Sequence, residues 1–330
     1  MNTPTAAVTA GEGAAAVALD APLQPRGPRR PVPRHRRRYA HWLMLSPAAL
    51  VMLALTIVPI GLLVLFSFTD ANARTVVTGA YDSVGIDNYL KIFSDPEFWA
   101  SLWRTLWFTA AMVAGSVIVG LFLADLLTRL GTAMRYVLTI ALIFAWAMPT
   151  VASSQVWNWL FQPGYGVVNW LLTQLRIFGD VTQTDWSANT WLGFLCIWLL
   201  IVWQAVPFIA LTVYAAQTQV DPAYYEAARL DGASEWRIYR SVTLPFIAPS
   251  LILITILSVI WDFNVFNQIW LVTEGGPDNT TATLGVWTFK TAFVSFKIGA
   301  GAAISVVTTL LLLIITGFYI RRLLRSGEDL

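Results

Sequence analysis

Asp221-Pro222-Ala223-Tyr224-Tyr225-Glu226-Ala227-Ala228-Arg229-Leu230-Asp231-Gly232-Ala233-Ser234-Glu235-Trp236-Arg237-Ile238 separates two apolar runs, 191–214 and 247–272. Each run is long enough to cross about 30 Å of hydrocarbon as a helix rising about 1.5 Å per residue. The stretch between them carries helix signals of its own. Asp221 followed by Pro222 reads as an N-cap with proline at the first helical position. Glu226-Ala227-Ala228-Arg229-Leu230 favours helix, and Gly232 can take φ > 0 and stop it. Ser234 is placed to cap a second short helix over 235–241, and Pro245 fixes the entry to the next run. The expected product is a compact helix–turn–helix. Tyr224, Tyr225, Leu230, Trp236 and Ile238 give it apolar surface, and Glu226, Arg229, Asp231 and Arg237 give it charge. Two readings fit: a helix that lies in the groove of a soluble partner, or an interfacial re-entry helix with no partner.

Outward from this segment, four more apolar runs follow the same length rule, at 43–68, 105–127, 136–161 and 303–320. The expected class is therefore an all-α polytopic membrane protein with six spans. Composition agrees: 57% of the 330 residues are hydrophobic and 12% charged, against roughly 25% charged in soluble domains. A net charge of +2 is too small to suggest nucleic-acid binding. The single Cys196 excludes an internal disulfide and a cysteine-cluster metal site. His35 and His41 both precede the first span, which leaves no histidine metal site inside the membrane. No internal repeat stands out, so an inverted-repeat carrier gains no support.

Residues 1–40 are rich in Ala, Pro, Gly and Arg without apolar period, and read as a flexible cytoplasmic tail. The run after Arg34, Arg36, Arg37 and Arg38 is too long for a signal-peptide core. Those arginines serve either as a solvated topology determinant or as an anionic-lipid contact. With the N-terminus inside and six crossings, only Arg74, Lys91, Arg104, Arg176, Lys290 and Lys297 fall outside. The other fifteen Lys and Arg fall inside, so both termini are assigned to the cytoplasm. Residues 41–325 form the span domain, with the inner loop at 221–245, and 326–330 a cytoplasmic end. In the outer loop, Tyr89, Phe93, Phe98, Trp99, Trp103 and Trp107 suggest short helices at headgroup level or a docking surface for an external partner.

Glu226-Ala227-Ala228, Asp231-Gly232-Ala233 and Leu244-Pro245 resemble the EAA loop of permease subunits in binding-protein-dependent ATP-binding-cassette importers. Val84-Gly85-Ile86-Asp87-Asn88-Tyr89 and Leu271-Val272-Thr273-Glu274-Gly275-Gly276-Pro277 resemble the carbohydrate-uptake branch, the maltose- and glycerol-phosphate-type permeases. The resemblance covers roughly residues 42–325. It implies the type I importer (MetI-like) permease fold with a cytoplasmic coupling loop. In such a permease Glu226, Ala227, Ala228, Arg229, Asp231, Gly232 and Trp236 would seat in an ATPase subunit, which alone binds ATP and Mg. Nothing in this chain resembles a P-loop, and no cofactor or catalytic residue is expected in it. The implied partners are a second, different permease, two ATPase copies and an external lipid-tethered or soluble sugar-binding protein. The implied location is the bacterial cytoplasmic membrane.

Polar residues inside the spans are the candidates for a solute path. On a regular helix Asn264, Asn267, Gln268 and Leu271 share one face of the fifth span, able to line a cavity or to bond a neighbouring helix. Asp262 points roughly opposite and is expected to be structural, facing another helix, in this chain or the partner permease, or to be protonated. In the fourth span Gln204 and Phe208 share a face beside Trp203, and Pro207 is expected to kink the helix. The resemblance places both stretches near the family's sugar site. Gln155 and Asn158 in the third span are further cavity candidates, and Trp157 and Trp159 interfacial anchors. The expected function is a permease subunit of an ATP-driven importer of a di- or oligosaccharide. An ion-coupled carrier using Asp262 and a non-transporting membrane scaffold are the alternatives. The lack of a basic cluster in the expected cavity disfavours a phosphorylated solute.

Overall fold

Three segments set the architecture: a proline-broken third span, a fifth span that unwinds near one end, and a helix-rich loop whose last part runs straight into that fifth span. The computed structural model describes the backbone of residues 34–176 and 178–327, and the side chains of 44–321 apart from 76 and 177. The tail expected over 1–40 lies outside the described residues as far as 33. Residues 34–40 enter only as helical backbone, and the end expected over 326–330 lies outside them from 328. The chain divides into two units, residues 1–58 and 59–330.

The described elements are helical. They are α1 (Arg34–Ser67), α2 (Ala73–Thr78), α3 (Asp87–Ser94), α4 (Pro96–Arg129), α5 (Thr132–Ala147), α6 (Thr150–Leu160), α7 (Val167–Gln174), α8 (Thr190–Gln217), α9 (Pro222–Leu230), α10 (Glu235–Ile238), α11 (Leu244–Phe263), α12 (Asn267–Thr273), α13 (Leu284–Phe289) and α14 (Ile298–Gly327). Among the described residues the one extended pairing is an isolated bridge between Thr69 and Ser83. Five stretches are long and apolar enough to cross a membrane, carried by α1, α4, α8, α10 to α11 and α14. A sixth crossing requires the pair α5 and α6, which meet at 101°.

That bend departs from the unbroken span expected over 136–161, and its cause is local. Pro149 has no N–H to donate and its ring obstructs the preceding turn. Met148 takes the extended backbone (φ −69°, ψ 126°) that a residue before proline prefers, and Pro149 itself has ψ 135°. The fifth run also departs from a single helix. It stops at Phe263, unwinds over 264–266 and restarts at Asn267. Asp262, Asn264, Val265 and Phe266 are weak helix formers, and the Asn264 side chain donates back to Ile260 O at 2.9 Å. By contrast α8 runs through the buried Pro207 as one assigned helix.

The aromatic residues between 89 and 107 divide between two elements. Tyr89 and Phe93 lie on the short α3, whereas Phe98, Trp99, Trp103 and Trp107 belong to the first turns of the long α4 rather than to separate interfacial helices. Asn88, within the Val84–Tyr89 motif, is buried and donates to Ser67 O (3.0 Å) and Thr69 O (2.8 Å), closing the end of α1. Arg104 Nε donates to Ala282 O (2.8 Å), and Leu284 N–H donates to Thr105 Oγ1 (2.9 Å), tying the segment after α12 to α4. The main core lies along α4 and α8, where Phe108, Met112, Phe194, Ile197 and Leu200 pack with Ile269 of α12. A side chain at Gly115 would collide with the Trp198 ring, so the absent Cβ permits the close approach of these helices.

Candidate functional site

Two places gather the polar residues singled out by the sequence. The first is an elbow formed by α9 and α10. Asp221 Oδ1 accepts from Ala223 N–H at 2.9 Å, the N-cap expected there. Gly232 has φ +74°, and its N–H donates to Arg229 O while Ala233 N–H donates to Ala228 O, both at 3.0 Å. These bonds close α9 in the left-handed glycine turn. Ser234 makes no side-chain cap; it is exposed, and Ile238 N–H bonds its carbonyl at 2.9 Å instead. Across the turn Arg229 Nε meets Glu235 Oε1 at 3.1 Å.

The second helix is shorter than the expected 235–241. After Ile238 the chain widens into a π turn at Tyr239–Thr243 and runs directly into α11. Pro245 supplies the reason: with no N–H and a ring that would meet the carbonyl of residue 241, it disfavours α geometry here. The wider turn lets Leu244 N–H reach Tyr239 O. The second arm of the elbow, α10, and the fifth span are thus one continuous helix.

Among the described residues nothing covers the elbow's outer surface. Leu230 is 89% exposed and Trp236 71%. Glu226, Ala227, Asp231 and Gly232 are also exposed, and Ala228 is half-buried. Among the described residues the Glu226 side chain has no hydrogen-bond or ion-pair partner. Between elbow and bundle lies a cavity of about 500 Å³ lined by Asp125, Arg129, Arg135, Tyr214, Gln217, Tyr225, Glu226 and Arg229, among others. Gln217, which sequence reasoning passed over, is buried with both amide atoms unpaired among the described residues. An amide closing an apolar span was the signal for it.

The second place is a cavity of about 530 Å³ between the two broken spans and α8. Met148, Pro149 and Thr150 at the first break, and Asp262, Asn264, Asn267 and Gln268 at the second, line it with Gln204, Phe208, Trp146 and Trp261. Of the candidate path residues, Gln204, Phe208, Asn264, Asn267 and Gln268 are brought together here. They meet because the fifth span unwinds, not because they share a helical face. Leu271 is absent from the lining, and its carbonyl accepts from Asn158 Nδ2 at 2.9 Å. The unwinding also brings Asp262 to the same cavity instead of opposite Asn264. Trp203 lies outside the lining, its ring 5.4 Å from Trp157, and Gln155 is exposed on α6.

The amides in this cavity are partly committed. Gln204 Nε2 donates to Met148 O (3.2 Å) and Thr150 Oγ1 (3.5 Å), and Gln268 Nε2 donates to Gln204 Oε1 (3.3 Å). The Met148 carbonyl, at the break itself, is therefore satisfied by a side chain from α8, as irregular backbone within a membrane requires. Three aromatic rings form a wall: Trp146 stacks on Phe208 (6.1 Å, 18°), and Trp261 lies 5.4 Å from Phe208. Such faces suit the C–H face of a pyranose.

Comparison with known proteins gives the family. Residues 116–326 match the family described as the binding-protein-dependent transport system inner membrane component. The diacetylchitobiose uptake system permease protein DasB of Streptomyces coelicolor is 40% identical over 293 residues, 88% of each chain. The sulfoquinovosyl glycerol transport system permease protein SmoG of Agrobacterium fabrum is 31% identical over 84% of this chain and 88% of its own. Among solved structures, a bacterial ABC transporter involved in import of the acidic polysaccharide alginate has a chain of the same fold, with TM-score 0.76 and 19% identity over 88% of this chain and 96% of that one. With its fold, the match to residues 116–326 and relatives of this similarity, the protein belongs to the family of inner membrane components of binding-protein-dependent transport systems.

Proposed function

We propose that this chain is one of two different permease subunits of an ATP-driven importer of a di- or oligosaccharide, lying in a bacterial cytoplasmic membrane with both termini inside. The α9–α10 elbow seats in a cleft of a cytoplasmic ATPase subunit, with Leu230 and Trp236 as apolar anchors and Glu226 and Arg229 setting register. Two ATPase copies bind ATP with Mg; their closure moves the elbows, and the permease pair alternates between inward-facing and outward-facing states. An external sugar-binding protein delivers the glycan to the cavity at the two broken spans. One observation carries the reading: an uncovered elbow is the foot of the same helix whose other end opens into an amide- and aromatic-lined cavity. The name of the 40%-identical relative makes N,N′-diacetylchitobiose the first glycan to try.

The test is to purify the chain with its companion subunits, reconstitute them in vesicles, and screen glycans with the binding protein for stimulation of ATP hydrolysis. Uptake should require ATP on the elbow side. Uptake driven by a proton gradient in vesicles without the ATPase would overturn the proposal.

A further inference from the structure

We propose that Asp262 selects the charge of the sugar unit in the cavity: it takes hydrogen bonds from the hydroxyl or ammonium hydrogens of a neutral or amino sugar and excludes a unit bearing a carboxylate, sulfonate or phosphate. The proposal rests on the glycan reading above and adds a substrate class to it.

Asp262 is only 6% exposed, and its Oδ2 has no hydrogen-bond partner among the described residues. It is the one ionisable side chain in the lining of the 530 Å³ cavity. No Lys, Arg or His of the lining offsets it. A carboxylate withdrawn from water without a cation or donors is unfavourable. A molecule entering with donor hydrogens relieves that cost, whereas an anion adds repulsion or forces the carboxyl to stay protonated.

The neighbouring amides are partly engaged. The nitrogens of Gln204, Gln268 and Asn264 already donate to Met148 O, Gln204 Oε1 and Ile260 O. The Asn267 amide nitrogen has no protein acceptor among the described residues, and Gln268 and Asn264 each keep a second amide hydrogen. The faces of Trp146, Phe208 and Trp261 carry negative potential, which tolerates an ammonium and disfavours an anion.

The experiment uses the assembled complex of both permeases and the ATPase subunits in nanodiscs, without the binding protein, so that its own selectivity does not enter. Direct binding is measured for three β-1,4 disaccharides: N,N′-diacetylchitobiose (neutral), chitobiose (ammonium) and cellobiuronic acid (carboxylate). The expected result is binding of the first two, with the acid weaker by at least about tenfold. Asp262→Asn should narrow that gap by strengthening the acid and weakening chitobiose. Asn267→Asp, which replaces an unengaged donor by a second acid, should widen it. Equal shifts for all three sugars, or none, would overturn the proposal. So would separation of the permease pair in Asp262→Asn, since Asp262 would then belong to a subunit contact. If the sugars bind and stimulate ATP hydrolysis without discrimination, only the charge selection fails. If none binds the wild type, the glycan reading fails with it.

Discussion

The elbow and the cavity are both marked in the sequence by proline, glycine or weak helix formers, yet their polar side chains end in different situations. On the elbow, Glu226 and Asp231 are exposed, and among the described residues the Arg229 side chain engages only Glu235. In the cavity, Gln204, Gln268 and Asn264 are already bonded, two of them to carbonyls at or beside the breaks. A polar group facing water can wait for another molecule. A polar group in apolar surroundings first satisfies the backbone that the break has freed. Counting polar residues in a span therefore overstates how many remain available to a solute.

The strongest way to break this contrast is Gly232→Pro. Proline is confined to φ near −65°, while Gly232 sits at +74° and its N–H bonds Arg229 O. Uptake should fall to background and the ATPase should no longer co-purify; retained association would remove the elbow from coupling. Glu226→Ala comes next. The side chain is exposed and unpartnered here, so the melting temperature should not move, while uptake should drop about tenfold or more if Glu226 is an interface anchor. Coupled transport assays beside thermal unfolding of the purified complex would separate the two effects.

Within the cavity the expected effects are smaller and fall on stability. Gln204→Ala leaves Met148 O without its donor and Gln268 without its acceptor, a loss of about 1–3 kcal/mol visible as a lowered melting temperature. Asn264→Ala removes a bond within its own helix end and should change stability by about 0.5 kcal/mol or less. Equal destabilisation by the two variants would show that α8 does not support the first break.

The elbow was legible because its signals are local. An aspartate before a proline and a glycine after a helix-forming run act within a few residues, and Asp221 and Gly232 do what those signals imply. Ser234 did not cap, and the second helix merged with α11, because Pro245 acts on the turn before it. Five spans and their placement were legible from apolar length, and the sixth holds where α5 and α6 make one crossing. The breaks were not, because a hydropathy run does not register where the backbone leaves the helix. The Met148-Pro149 pair was the missed cue for the 101° bend. The fifth span was read as a regular helix, which put Asp262 on the wrong side of Asn264. Trp203 was grouped with Gln204 by proximity in sequence, yet its ring turns to Trp157. The Val84–Tyr89 motif has a structural use, since Asn88 closes α1.

The π turn at Tyr239–Thr243 has a mechanical consequence. It keeps Glu235–Phe263 an unbroken rod of 29 residues, about 44 Å long at the usual rise. A push on the foot need not be relayed through loops or side-chain contacts. Tilting such a strut by about 10° swings its tip by roughly 8 Å, and the tip is where the helix unwinds beside Asp262 and Asn264.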